Sequence, residues 1–261
     1  MGSHRAKIFL LRRRYVAAAA AVLMAAALFA TVTWPAAVTA GTTARQLPIY
    51  SVECSQPLCA ISFDAAWGNE DTQQLIDILA RYNVKTTFFV VGDWVEKYPE
   101  SVRALHDAGH EIMNHSNHHD HYNTLTSDEI IADVTACNEK IAAITGVTPT
   151  LIRCPYGEYD DHVIAAIRSM GMEPIQWDVD SLDWKNYDAA TICKRVNEKM
   201  EQGSIALFHN AAPHTPEALA DILDCLINKG LTVVPISQLI YYENYTIDHT
   251  GRQFPAPEES A

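Results

Sequence analysis

Four histidines lie within seven residues, in the segment that begins at His115 and ends at His121. Neutral imidazole is the commonest protein ligand for metal ions. Because His115 and His119 are four positions apart, both rings can face one side of a helical turn or tight loop. The same residues also occur in solvated polar loops, but this segment directly follows a predicted strand. The position favours a metal site that uses His115 and His119.

Two further segments carry a charged residue at the end of an apolar run. Asp64 follows Cys59 to Phe63, where a carboxylate can act on a ligand or simply cap a turn. Arg153 precedes the bend at Pro155 and Gly157. An arginine in that position can hold a carboxylate, and the bend can present backbone N–H groups to an anion.

Acidic and aromatic residues follow the next apolar run, and a single histidine ends the one after it. This segment contains Asp180, Asp183 and Trp184 and has two interpretations. It is either an acidic surface loop with a buried tryptophan, or a wall on which a sugar stacks, with a carboxylate that pairs with a histidine. His209 follows Leu207 and Phe208, a position that suits a general acid.

The elements that must position these residues alternate between short β-branched or aromatic runs and segments of helical period. The predicted strands are Leu58 to Phe63, Thr86 to Val91, Glu111 to Met113, Leu151 to Arg153, Pro174 to Val179, Ile205 to Phe208 and Thr232 to Pro235. The predicted helices are Asp71 to Tyr82, Glu100 to Ala108, Ser127 to Ile144, Asp160 to Met170, Ala189 to Glu201 and Pro216 to Asn228. This alternation predicts an α/β fold with a parallel sheet that is covered on both faces.

Five segments, in this order, resemble the motifs of the polysaccharide deacetylases, the NodB-homology carbohydrate esterases. The segments are Ser62-Phe63-Asp64, His115-Ser116-x-x-His119, Arg153-x-Pro155-Tyr156-Gly157, Asp180-x-x-Asp183-Trp184 and Leu207-x-His209. The resemblance spans residues 57 to 240 and implies a distorted (β/α) barrel of about seven parallel strands. It also implies a divalent metal, usually zinc and sometimes cobalt or manganese, and removal of acetyl groups from N-acetylated sugars.

The resemblance assigns a role to each of these residues. Asp64 would be the catalytic base, held ionised by Arg153, while His115 and His119 would bind the metal. His209 would protonate the departing amine, and one of Asp180 and Asp183, with Asp183 favoured, would keep its imidazole protonated. The remaining residues would contact the substrate: Tyr156 through its backbone N–H, with Asp180, Trp184 and Leu207.

One position departs from the family pattern. The first motif of the family has two consecutive aspartates, the second of which binds the metal, whereas Ala65 follows Asp64 here. Alanine cannot coordinate a metal. Three outcomes are open: the metal is completed by water or substrate, a nearby Asn69, Glu70 or Asp71 replaces the ligand, or catalysis is lost.

The chain ends carry separate signals. Residues 1–40 combine five basic residues with an alanine-rich apolar run and predict a signal or anchor segment, cleaved near Ala40 or retained in the membrane. Residues 41–50 are interpreted as a linker, 51–245 as the folded domain and 246–261 as a disordered tail. The chain is therefore expected to be exported to the outer face of the cell membrane.

Charge and cysteine content limit the partners. Beyond residue 40 the net charge is about −18, which argues against nucleic-acid binding. Six cysteines are too few for a disulfide scaffold, and a Cys54–Cys59 disulfide stays open. The expected partners are a polysaccharide, such as peptidoglycan or an N-acetylglucosamine oligomer, and the membrane; the protein is expected to be a monomer.

Within the family, the N-terminal segment and the Trp67-Gly68 pair are similar to the sporulation-associated, membrane-anchored members. Two other functions remain open. A glycan-binding wall protein would keep the groove without the chemistry, since Ala65 replaces a metal ligand. An O-acetyl esterase would use the same scaffold and need less protonation of the leaving group.

Overall fold

The computed structural model describes residues 45–256. The strands are β1 Ser51–Val52, β2 Leu58–Ala65, β3 Thr87–Val90, β4 Glu111–Asn114, β5 Leu151–Ile152, β6 Glu173–Pro174, β7 Val179–Asp180, β8 Ile205–His209, β9 Thr232–Val233, β10 Tyr245–Ile247 and β11 Arg252–Pro255. The helices are α1 Thr72–Arg81, α2 Gly92–Lys97, α3 Pro99–Asp107, α4 Ser127–Thr145, α5 Asp161–Ser169, α6 Ala189–Asn197, α7 Thr215–Asn228 and α8 Ile236–Leu239. None of the helices in this range is long and apolar enough to cross a membrane. The predicted signal or anchor segment, residues 1–40, lies outside the described residues.

The main sheet confirms the predicted fold class. Seven strands follow the order β6-β5-β4-β3-β2-β8-β7, and β9 pairs with the start of β2. Every pairing in this sheet is parallel. The sheet curls into a half-barrel surrounded by helices, so the carboxyl ends of all its strands lie at one rim.

The side chains of β2 alternate between the two faces of the sheet. Cys59, Ile61, Phe63 and Ala65 belong to the apolar cluster that packs the sheet against the helices. Asp64 lies between Phe63 and Ala65 and is turned to the opposite, inner face. This period of two follows from the pleat of a strand, and it places a carboxylate at the rim while its neighbours stay in the core.

The predicted helices are present with boundaries shifted by a few residues, and their caps explain where they begin and end. Thr126 accepts a hydrogen bond from the Glu129 N–H, while the Glu129 carboxylate accepts from the Thr126 N–H, which forms a capping box. Gly146 ends the same helix in a left-handed conformation, at φ 74°. The short helices α2 and α8 were not predicted.

The predicted strand Pro174 to Val179 is not a single strand. Its first part forms β6 beside β5, and its last part forms β7 beside β8, at opposite edges of the sheet. The residues between them cross the gap in the barrel, where the Ile49 N–H donates to the Pro174 carbonyl at 3.0 Å and the Gln176 N–H donates to the Ile49 carbonyl at 2.7 Å. One segment therefore joins both edges of the half-barrel.

Parts of the predicted linker and tail belong to the fold. Ile49 is fully buried and forms a parallel bridge with Ile175. Strands β1, β10 and β11 form a second sheet, so residues 252–255 are a paired strand rather than disordered chain. Residues 257–261 lie outside the described residues. All six cysteines lie within residues 45–256 and are free thiols, Cys54 and Cys59 included.

Candidate active site

A pocket of about 430 Å³ opens at the rim where the carboxyl ends of the strands meet. It brings together residues from all five motifs. Its lining residues are Asp64, Ala66, Trp67, His115, His119, Tyr156, Gly157, Trp177, Asp180, Trp184, Leu207 and His209. Arg153 and Asp183 lie behind this lining, where they contact Asp64 and His209.

Asp64 is a buried carboxylate at one side of the pocket. Arg153, which is fully buried, donates from Nη1 to Asp64 Oδ1 at 2.7 Å and from Nη2 to the Gln176 carbonyl at 3.1 Å. Burial raises the pKa of Asp64, but the positive charge of Arg153, then His115 and His209, outweighs it and leaves the pKa below its ordinary value. The carboxylate is therefore ionised and able to accept a proton.

His209 is the second titratable group of the pocket. Its Nδ1 lies 2.8 Å from Asp183 Oδ1, and its backbone N–H donates to Asp183 Oδ2 at 2.8 Å. Thr215 also donates to Asp183 Oδ2, at 2.7 Å. Burial lowers the pKa of His209, but the hydrogen bond and the charge of Asp183 prevail and raise it above its ordinary value. The imidazole is thus suited to donate a proton from Nε2 into the pocket.

The two histidines predicted to bind a metal lie side by side. Their ring centroids are 4.9 Å apart, and His115 Nδ1 lies 2.7 Å from the Arg153 carbonyl, which leaves Nε2 facing Asp64 Oδ2 at 3.5 Å. Burial is the main cause that lowers both pKa values, and His119 falls to about 4. Both rings are therefore neutral at pH 7, as metal ligation requires.

The donor set fits a metal ion only in part. Zinc sites in hydrolases combine three protein ligands with one open position. His115 and His119 supply two imidazoles, and the backbone carbonyl on His115 Nδ1 orients that ring as in known sites. Within residues 45–256, however, no group of three or more His, Cys, Asp or Glu side chains could hold a metal ion.

The residues after Asp64 explain the missing ligand. Ala65 is fully buried in the cluster between the sheet and the helices, whereas Ala66 lines the pocket. Asn69 donates to Ser101 Oγ at 2.9 Å, and Asp71 accepts from the Ala211 N–H at 2.9 Å. Asn69, Glu70 and Asp71 are absent from the pocket lining, so none of these three residues replaces the missing ligand beside His115 and His119.

Four loops at this rim each contain a non-glycine residue at positive φ. The values are 61° at His119, 58° at Tyr156, 55° at Leu182 and 54° at Ala211. Such backbone conformations cost about 1–3 kcal/mol each and persist where the surroundings impose them. Their concentration at one rim supports a functional site.

The residues predicted to contact a ligand all lie at this pocket. Tyr156 and Trp184 are more than half exposed, at 57% and 56%, while Leu207 is buried at the floor. The Asp180 carboxylate accepts from the Leu182 N–H at 2.9 Å. The Tyr156 ring packs against His119 at 4.5 Å between centroids and stacks on His121 at 4.1 Å.

Sequence reasoning missed several residues of the site. Trp67 and Trp177 line the pocket, and Asn210 and Thr215 hold its loops, but none had been singled out as a site residue. A tryptophan three positions after Asp64 and a polar residue directly after His209 were the available signals. Each is a single residue without a repeated spacing, so neither pattern distinguished a site residue from a packing residue.

A family model described as polysaccharide deacetylase matches residues 52–175. YlxY of Bacillus subtilis, an uncharacterized protein, is 31% identical over 193 residues, which are 74% of this chain and 60% of YlxY. PdaA of the same organism, a peptidoglycan-N-acetylmuramic acid deacetylase, is 31% identical over 69% of this chain and 70% of PdaA. The chain thus spans less than two thirds of YlxY.

Solved structures with a similar fold include BA3943 of Bacillus anthracis, which is described as a pseudoenzyme of the CE4 family. It is 32% identical, with a TM-score of 0.71 over 75% of this chain and 69% of BA3943. A mutant of BA3943 is described as having restored enzymatic activity, and it matches with the same TM-score of 0.71 at 33% identity. Active and inactive proteins thus share this fold.

Proposed function

Because this chain belongs to the polysaccharide deacetylase family, we propose that it hydrolyses the acetamide of N-acetylated sugars in peptidoglycan. One observation carries the proposal. Asp64, held ionised by Arg153, and His209, held protonated by Asp183, face a single pocket from neighbouring strands. A base and an acid with pKa values moved in opposite directions are what amide hydrolysis needs.

The residues of the chain divide the reaction between them. Asp64 takes the proton of the attacking water, and the Tyr156 N–H is the donor proposed for the oxyanion. His209 then gives its Nε2 proton to the departing amine. Trp184 and Leu207 shape the space for the acetyl group, beside Asp180. A divalent cation, zinc or else cobalt or manganese, held by His115 and His119, would supply Lewis acidity at the reacting carbonyl.

We also propose that the protein acts outside the cytoplasmic membrane as a monomer. The basic and apolar residues 1–40 support export, and the negative charge of the remainder is unsuited to nucleic acid. The Trp67-Gly68 pair after the first motif supports a place among the sporulation-associated, membrane-anchored members. Peptidoglycan is the wall polymer that such a protein would meet.

The direct test is release of acetate from peptidoglycan and from N-acetylglucosamine oligomers. The full chain should release acetate in buffer with added zinc or cobalt, and a chelator should reduce the rate, because the cation would be held by the two imidazoles of His115 and His119. Acetate release that never exceeds the buffer blank, with every metal and both substrates, would contradict the proposal.

A second candidate function is glycan binding without hydrolysis. Ala65 in place of a ligand, and the similarity to a pseudoenzyme, favour it. It predicts that the purified protein binds peptidoglycan equally well with and without chelator, and that the Asp64→Asn variant retains this binding. The acetate assay separates the two candidates because only the deacetylase releases product.

The pH dependence of the reaction should report on His209. The acid step needs protonated His209, so the rate falls as the pH rises through the His209 pKa. The Asp183→Asn variant removes the charge that raises this pKa, and the falling limb should therefore move to lower pH. Asp180→Asn should move it in the same direction by less, because the charge of Asp180 raises the pKa of His209 less than that of Asp183 does. The measurement is the acetate-release rate between pH 5 and about 10.

If the fall of the rate at high pH occurs at the same pH in Asp183→Asn as in the parent protein, the assignment of His209 as the acid is wrong.

A further inference from the structure

Trp67 is a large aromatic residue that stays exposed at the edge of the pocket. More than half of it, 56%, is accessible to solvent. Its ring centroid lies 6.4 Å from that of His119 and 5.9 Å from that of His209. Trp67 therefore lies between the histidine pair on one side of the pocket and the acid on the other.

The backbone on both sides of Trp67 is fixed by one side chain. Asn210 Oδ1 accepts from the Ala66 N–H at 3.2 Å, and Asn210 Nδ2 donates to the Gly68 carbonyl. The same Gly68 carbonyl accepts from Trp94 Nε1 at 2.9 Å. Asn210 is itself buried, and its backbone N–H donates to the Asp64 carbonyl at 3.0 Å.

A second bond holds the loop a few residues further on. Asp71 accepts from the Ala211 N–H, which follows Asn210 directly. The loop after β2 is thus attached to the loop after β8 at two successive positions. An aromatic ring held on a fixed backbone loses little conformational entropy when a ligand covers it, and a flat apolar face suits the C–H face of a pyranose ring.

From these contacts we infer that Trp67 is a specificity-determining residue that stacks on the sugar ring carrying the acetamide, and that Asn210 is a positioning residue that holds it there. This inference rests on the proposed function. The sugar ring stacked on Trp67 would lie between His119 and His209, with its acetamide oriented toward Asp64. The ligand class is an N-acetylated pyranose within a glycan chain.

The test measures glycan binding by the full chain in an Asp64→Asn background, where hydrolysis of the probe is strongly slowed. With tetra-N-acetylchitotetraose as the probe, Trp67→Ala should weaken binding about tenfold, which corresponds to about 1.4 kcal/mol. Trp67→Phe should recover most of the affinity. Tyr242→Ala, which removes an aromatic residue that is 51% exposed but absent from the pocket lining, is the matched control and should bind normally.

Asn210 is tested by steady-state kinetics with Asp64 intact. Asn210→Ala should raise KM for the oligosaccharide more than it lowers kcat, and Asn210→Asp should recover part of the loss because it keeps the acceptor for the Ala66 N–H. A general packing defect would instead lower both kcat and the stability of the folded protein. Thermal unfolding of the variant would reveal that loss of stability.

The possible outcomes separate the two ideas. If the parent protein binds the oligosaccharide and Trp67→Ala binds it equally well, the inference about Trp67 is wrong and the proposed function stands. If neither the oligosaccharide nor peptidoglycan binds the parent protein, the proposed function and the inference are both wrong. Loss of binding in Trp67→Ala with recovery in Trp67→Phe supports the inference.

Discussion

Replacement of Asp64 by asparagine is expected to lower acetate release by about 10²- to 10⁴-fold, the range that a positioned general base contributes. The amide cannot accept the proton of the attacking water at neutral pH. It retains an oxygen that can accept a hydrogen bond from Arg153, so the pocket keeps its shape. The measurement is kcat/KM for acetate release from an N-acetylglucosamine oligomer.

Stability must be followed in the same variant, because removal of a buried charge leaves Arg153 without its counterion. Breaking such a pair costs about 3–5 kcal/mol when the remaining charge is buried. Glu111→Gln is the matched control, since Glu111 lies at the opposite end of its strand and accepts a hydrogen bond from Thr87 at 2.8 Å. It should lose stability but not activity. Full activity in folded Asp64→Asn would sink the assignment of Asp64 as the base.

The second large effect is a gain of metal affinity in Ala66→Asp. Residue 66 lines the pocket with His115 and His119, so a carboxylate there would complete a set of three ligands. We expect zinc to bind roughly 100-fold more tightly than to the parent protein, because a third ligand should matter at least as much as the hydrogen-bonding partners of metal ligands, whose loss costs about 10- to 100-fold. Titration calorimetry and the zinc content of the dialysed protein measure it.

Ala65→Asp is the matched comparison, because it places the same side chain one residue earlier. Ala65 is fully buried among apolar residues on the other face of the sheet, where a carboxylate has no partner. We expect a loss of several kcal/mol in the free energy of unfolding and no gain in zinc affinity. Tight zinc binding by Ala65→Asp and not by Ala66→Asp would reverse the assignment of the two positions.

The central strands of the fold could be predicted because most of their residues are apolar and buried. The run from Leu58 to Phe63 lies within β2, and the runs that begin at Glu111 and Ile205 lie within β4 and β8. Helix α4 could also be predicted from local signals, because its capping box is formed by Thr126 and Glu129. In both cases the information lies within a few consecutive residues.

The edges of the fold depend on residues far apart in the chain and were not predicted. Ile49 belongs to a short polar-flanked segment, and only its bridge to Ile175 makes it part of the barrel. Residues 252–255 become a strand because β1 and β10 lie beside them, on either side. No local pattern distinguishes such residues from linker or tail.

The candidate site divides in the same way. The resemblance of the five motifs to a family predicted Asp64 and His209 as site residues. The structure brings both of them to one pocket. Trp67 belongs to the loop that departs from the family pattern at Ala65, whereas Asn210 directly follows the last motif. Their relation became visible only once the loops after β2 and β8 were seen to be joined by hydrogen bonds.

The central position of β2 also constrains how the protein folds. Asp64 lies opposite His209 in the pairing of β2 with β8, although 145 positions separate them along the chain. Contacts so distant in sequence are entropically expensive to close, and they slow folding relative to local pairing. During synthesis β2 therefore has one edge without its neighbour until β8 has emerged. The pairing of β2 with β8 thus brings the base and the acid together late in folding. A shift of β8 by one residue along β2 would turn His209 away from Asp64.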